Sequence, residues 1–205
     1  MPNFPDFDEF SSDENALEDI IGDLPHLITL RKFADKTQNV RWFQDVGEGP
    51  SDVRRGQSQD YLDALGFPYI DTAFGLNWED DAAAAVSLVW EIAGWEAEEQ
   101  LRAGLVASAL EDLSEDALSV ALNHVAAIAG GSLKEHIDHV ADLWDLENES
   151  PLLTAAAGAA VQAAHQAALV YAADADERHP FLLKYHLFES GRWPIGIAGS
   201  TFNLF

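Results

Sequence analysis

Along most of the chain the apolar positions recur every three or four residues, the spacing that puts side chains on one face of an α-helix. Ser11 followed by Glu14 is a capping-box pattern; it opens a short helix with Ala16, Leu17, Ile20 and Ile21 on one side, stopped by Gly22. Pro25 suits the first turn of a second helix, over about 24–45, with Leu27, Leu30, Phe33, Ala34 and Val40 at helical spacing. Gly47, Gly49 and Pro50 end it. A third helix is expected over 51–65, and the Gly-, Pro- and aromatic-rich stretch 66–78 reads as a loop.

A long helical pattern covers 79–111: Val86, Trp90, Ala93, Ala97, Leu101 and Leu105 form the inward stripe, with Glu91, Glu96, Glu98 and Glu99 largely opposite. Gly94 and Gly104 mark a bend or a close neighbour. Ser114 caps 115–129, which Gly130–Gly131 closes. Ser132 with Glu135 reads as a second capping box, opening 133–146 with Leu133, Ile137, Val140, Ala141 and Trp144 inward. Ser150 and Pro151 start a helix to about 173, and twelve Ala between 152 and 175 place it centrally, where neighbours approach closely.

Beyond residue 180 the period changes. Residues 181–188 are apolar around a Lys-Tyr-His insert, and WPIGI and TFNLF flank Ala198-Gly199-Ser200 as a two-stranded hairpin. A lone hairpin is marginally stable, so its aromatics should pack on the helices and Phe205 should be buried. The expected fold is mainly α, a bundle of about six to seven helices with a small C-terminal β-hairpin packed on it. The expected division is an acidic arm over 1–13, where Phe4, Phe7 and Phe10 alternate with acids and Pro, then one helical domain over 14–205 that includes the hairpin at 193–205.

Composition narrows this. With 205 residues, 48% hydrophobic, and six Trp, the chain is long and apolar enough to bury a sizeable core. No window approaches ~18 uninterrupted apolar residues, and acids follow Met1 where a signal peptide needs bases. The absence of Cys excludes disulfides, a thiolate zinc site and a Cys nucleophile, and a reducing cytoplasm is the simplest location.

The net charge is −25, which disfavours direct contact with nucleic acid backbones and anionic membranes. It suits a basic protein partner, a DNA-mimicking surface, or solubility in high salt, to which the four Lys beside many Asp, Glu and Ala also point. Residues 1–30 carry eight acids and no base; 56–205 sum to −19. Between them Arg31, Lys32, Lys36, Arg41, Arg54 and Arg55 make a basic island of +2 over 31–55, which either pairs with acidic helices or binds an anion.

Candidate chemistry is sparse. His136 and His139 lie three apart, with His124 one helix earlier and His165 one later, and helical bundles build metal sites from such inward histidines. The spacing matches neither a zincin helix nor a paired Glu-x-x-His set, so exposed or locally satisfied histidines are the stronger reading. Acid runs such as Glu79-Asp80-Asp81 fall in first helical turns, where the macrodipole favours them. There is no Gly-x-Ser-x-Gly and no strand–glycine loop–helix phosphate cradle. Arg192-Trp193 and Arg41-Trp42 are of the residue types enriched in interaction hot spots, or else core plugs with paired arginines.

The leading expectation is therefore a non-enzymatic acidic protein, immunity-type or regulatory, that binds a basic protein. The alternatives are a metal or small-ligand site, with or without enzymatic activity, on His124, His136, His139 and His165, a DNA mimic, and a subunit whose aromatic hairpin contacts another chain. No cofactor is expected other than, on the second reading, a divalent metal at the histidines, and the chain is compatible with a homo-oligomer.

Overall fold

The computed structural model describes residues 26–87, 92–144, 146 and 150–205. The expected arm, the 14–21 helix and its capping box lie outside these residues. The described elements run α1 (His26–Thr37), α2 (Asp52–Leu65), β1 (Asp71–Phe74), α3 (Trp78–Ser87), α4 (Ile92–Asp112), α5 (Glu115–Trp144), α6 (Pro151–Ala172), α7 (Pro180–Glu189), β2 (Pro194–Ala198) and β3 (Thr201–Leu204). The fold is a helical bundle with a small sheet formed mainly by the C-terminal hairpin.

α6 is the hub, packed against α1, α4, α5 and α7. Its Ala156, Ala160, Ala163, Ala164, Ala167 and Ala168 are all buried, and these short side chains let several helices meet around one axis. Pro151 supplies its first turn, where a missing N–H costs nothing. α7 starts on the same device, Pro180 at its first turn, with His179 Nδ1 accepting from Phe181 N at 3.2 Å. Phe181, Leu182, Tyr185 and Phe188 of α7 enter the main core, while Leu187 enters a second cluster with Tyr61, Leu62, Leu65, Ile197, Phe202 and Leu204. A helix buried on two sides has no polar face, which is why 181–188 shows no amphipathic period.

The expected hairpin is β2 and β3, paired antiparallel with Ala198 opposite Thr201. A third strand joins it: β1 pairs parallel with β3, from Asp71 opposite Thr201 to Phe74 opposite Leu204, in the order β1-β3-β2. The stretch 66–78 is therefore not wholly a loop. Phe205, just beyond β3, is fully buried, and its N–H bonds the Trp193 carbonyl at 2.9 Å.

Helix boundaries also bear on the expectation. Of the 79–111 pattern the described residues form α3 up to Ser87 and α4 from Ile92, and what joins them lies outside the described residues. On α4, Ala93 is exposed and Leu105 buried, while Glu98 turns inward. α5 runs unbroken through Gly130–Gly131, so these glycines are helix interior, and Ser132 opens no new helix. Two interior glycines cost about 0.5–1 kcal/mol each relative to Ala. That is offset because Leu118, Ala121, Leu122, Val125, Ala129, Leu133 and Val140 stay in phase on one buried face across the pair. Ser132 Oγ instead donates to the Gln38 carbonyl at 3.1 Å, tying α5 to the end of α1.

Candidate functional site

Two of the six bases of the island, Arg41 and Arg54, are paired within it. Arg41 Nη2 donates to Asp45 Oδ1 at 2.8 Å and its Nε to Gln44 Oε1 at 3.1 Å. Arg54 Nη2 reaches Asp45 Oδ2 at 3.3 Å and also Glu48, and its Nη1 donates to the Gly49 carbonyl at 3.0 Å. Arg55 lies over the Phe74 ring, 5.3 Å from its centroid. The acids that hold Arg41 and Arg54 are Asp45 and Glu48, close in sequence.

Arg192 is fully buried beside this cluster. Its Nη2 donates to the Gly49 carbonyl at 3.4 Å, and Nε and Nη1 have no partner among the described residues. Burial, reinforced by the Arg54 charge, lowers its pKa. Trp42 and Trp193 are core side chains, Trp42 packing edge-on against Tyr185 and Phe188 with ring centroids 6.1 and 5.9 Å apart. A positive φ of 59° at Phe43 lets consecutive residues Trp42 and Phe43 both enter the core. Gly191, with φ 79°, brings its carbonyl to Asp45 N at 2.9 Å. Of Arg41, Trp42, Arg192 and Trp193, only Arg41 is accessible to a partner without displacement of the cover.

The four histidines lie on α5 and α6. His139 is exposed; His124, His136 and His165 are half-buried. His136 Nδ1 is bonded to the Ser132 carbonyl at 3.0 Å, which makes Nδ1 the donor. His165 lines a groove of about 340 Å³ with Arg102, Glu115, Ser119 and Asn123 over a floor that includes Leu118 and Leu122. Burial, then the Arg102 charge, lowers the His165 pKa, and a nearby guanidinium opposes a metal cation. Among the described residues no three His, Asp or Glu side chains gather in a metal-binding arrangement.

Two polar clusters were not singled out by spacing. The first joins four helices: Glu98 Oε1 accepts from Lys184 Nζ and from Tyr61 Oη, each at 2.7 Å, and Gln166 adds a further bond. The Glu98 and Lys184 side chains are only 15% and 17% exposed, so this ion pair lies in a shielded setting. Although burial raises it, the combined pull of Lys184, Tyr61 and Gln166 holds the Glu98 pKa below the usual value. Tyr61 is pushed well up by burial and by the Glu98 charge. The only signal in sequence was polar residues inside apolar runs, Lys184 among them.

The second lies where β1 ends and α3 begins. Asn77 and Asp80 satisfy each other: Asn77 Oδ1 accepts from Asp80 N at 3.0 Å, and Asn77 Nδ2 donates to Asp80 Oδ2 at 2.7 Å. Asp81 is left over. It is 4% exposed, its Oδ2 has no partner among the described residues, and burial with the Asp80 charge raises its pKa to about 6. A Cβ on Gly75 would overlap the Asp81 carboxylate, so the glycine makes room for it. Asp81, Asp80 and Asn77 line a cavity of about 270 Å³ with Phe74, Leu76, Ala84 and Asn203.

Compared with known protein families, with curated proteins and with solved structures, the chain matches none.

Proposed function

We propose that this chain is a non-enzymatic acidic binding protein, immunity-type or regulatory, that takes a basic protein partner on its carboxylate-rich surface. The observation that carries this reading is how its few cations are spent. Arg41, Arg54, Arg102 and Lys184 are paired with carboxylates and Arg192 is buried, so five of the eleven Lys and Arg present no unpaired positive charge at the surface, and the net charge stands at −25. Asp35, Asp60, Asp63, Glu96, Glu111, Asp112, Glu115, Asp116, Asp138 and Asp142 are exposed. Four of these, Glu111, Asp112, Glu115 and Asp116, flank the short α4–α5 turn and form a compact negative corner.

Such a field speeds encounter with a basic surface and weakens as salt shortens its range from about 30 Å at 0.01 M to about 8 Å at 0.15 M. The test is capture of basic proteins at low ionic strength, followed by association rates of the purified pair against sodium chloride. The expected on-rate falls by at least about tenfold over that range, and replacing the corner acids by Gln and Asn lowers it further. An on-rate indifferent to salt, or no basic protein retained at low salt, overturns the reading.

A further inference from the structure

The cavity between β1, α3 and β3 is unbalanced in its hydrogen-bonding groups. Asn77 and Asp80 are spent on each other. Asn203 donates its amide to the Gly196 and Thr201 carbonyls at 3.4 and 3.3 Å, which leaves its Oδ1 as an acceptor. Asp81 adds an unpartnered carboxylate oxygen, and no Lys or Arg is among the lining residues. The remaining wall, including Phe74, Leu76 and Ala84, is apolar. A buried acceptor without a donor is destabilising, the more so when charged, so the complement is a group that brings N–H donors, a positive charge and a short hydrocarbon stem.

We propose that this cavity binds an alkylammonium group, with the Asp81 carboxylate as its counter-ion and the Asn203 Oδ1 as a second acceptor. Asp81 rather than Asp80 is the anchor, because Asp81 is buried with an unpartnered oxygen whereas Asp80 is exposed and accepts from Asn77. The apolar wall covers the methylenes next to the nitrogen. An alkylammonium comes either as a free amine or as a lysine side chain of a bound protein. Only the second source connects to the acidic-surface reading; the site itself stands without it.

The experiment uses the full chain, labelled for amide NMR, with n-butylammonium chloride and a blocked Gly-Gly-Lys-Gly-Gly peptide as probes. Sodium chloride at equal ionic strength controls for screening by a highly acidic protein, and 1-butanol for the hydrocarbon. Saturable shifts confined to the amides around Gly75, Asn77, Asp81 and Asn203 with butylammonium, absent with 1-butanol, are expected. Asp81→Asn should weaken binding by about tenfold or more. Ala84→Leu fills the cavity with Asp81 intact and should abolish binding, which keeps the test open if the first variant folds poorly. Tighter binding of the peptide assigns the site to a lysine side chain, and tighter binding of butylammonium to a free amine. Equal response to 1-butanol, unchanged affinity in Asp81→Asn, or no saturation by either probe overturns the proposal. None of these outcomes bears on the salt dependence of a basic partner, so the two readings fail separately.

Discussion

Asp81 concentrates at one residue the conflict between burial and charge. Its folded-state pKa is raised from 3.8 to about 6, so the folded protein holds a proton that the unfolded chain has already released over that interval. Stability therefore falls as pH rises from about 4 through about 6, and the full penalty is present at neutrality. Each pKa unit is worth about 1.4 kcal/mol. Asp81→Asn removes the charge, although its amide also needs partners, so a gain of roughly 1–2 kcal/mol is expected at about pH 7.5 in urea denaturation. The gain should shrink towards zero near pH 4; a gain independent of pH would mean that the charge is not the cause. The position of Asp81, third in the acid run that opens α3 after Glu79 and Asp80, was legible as a helix-start feature. Which of the acids is exposed and which packs against Gly75 was not, because that depends on where β1, paired with β3, delivers Gly75.

At the scale of elements, α5 and the four-helix polar cluster make separate predictions. Gly130 and Gly131 have open space where a Cβ would stand and sit inside a helix. Gly131→Ala should stabilise the protein by about 0.5–1 kcal/mol by thermal or chemical denaturation. If the pair instead ended a helix in the left-handed conformation, Ala would destabilise, so the sign of the change decides between the two. The clue in sequence was the step of four from Val125 to Ala129 to Leu133, which keeps one face in register through the glycines. The glycine and capping-box signals pointed to a break, and continuous burial along that face outweighed them.

Lys184→Met strands the Glu98 carboxylate among α2, α4, α6 and α7 and should cost about 3–5 kcal/mol, whereas Lys184→Met with Glu98→Gln should cost markedly less. Because the Glu98 pKa is lowered, its contribution is complete above the unfolded-state value of about 4.5 and is lost as pH falls below it. Acid denaturation of the wild type should show this segment and that of the double variant should lack it. Its pH sign is opposite to that of Asp81, so the two separate in one titration.

For the whole molecule, the −25 charge acts as self-repulsion, since 36 acids outnumber 11 Lys and Arg. Raising sodium chloride from about 0.01 to 0.15 M should therefore raise the melting temperature, by a few degrees for roughly 1 kcal/mol. A falling melting temperature would show that screening of the ion pairs dominates instead. Within the basic island, Asp45 and Glu48 neutralise Arg41 and Arg54 locally, and its +2 is small beside the −25 total.

The sequence alone determined the helical class, the central placement of the alanine-rich helix, the hairpin and the burial of Phe205. Each is written in local periodicity, capping residues or turn chemistry, which act over a few neighbours. Tertiary structure alone decided that 71–74 is a strand, since four residues acquire that conformation by pairing with 201–204. It also decided that Arg192, Trp193 and Trp42 are buried, that the histidines do not gather in a metal-binding arrangement among the described residues, and that Glu98 meets Lys184 and Tyr61. These outcomes depend on the angles at which helices cross, and no spacing along one helix records which side chain a distant helix will present to it.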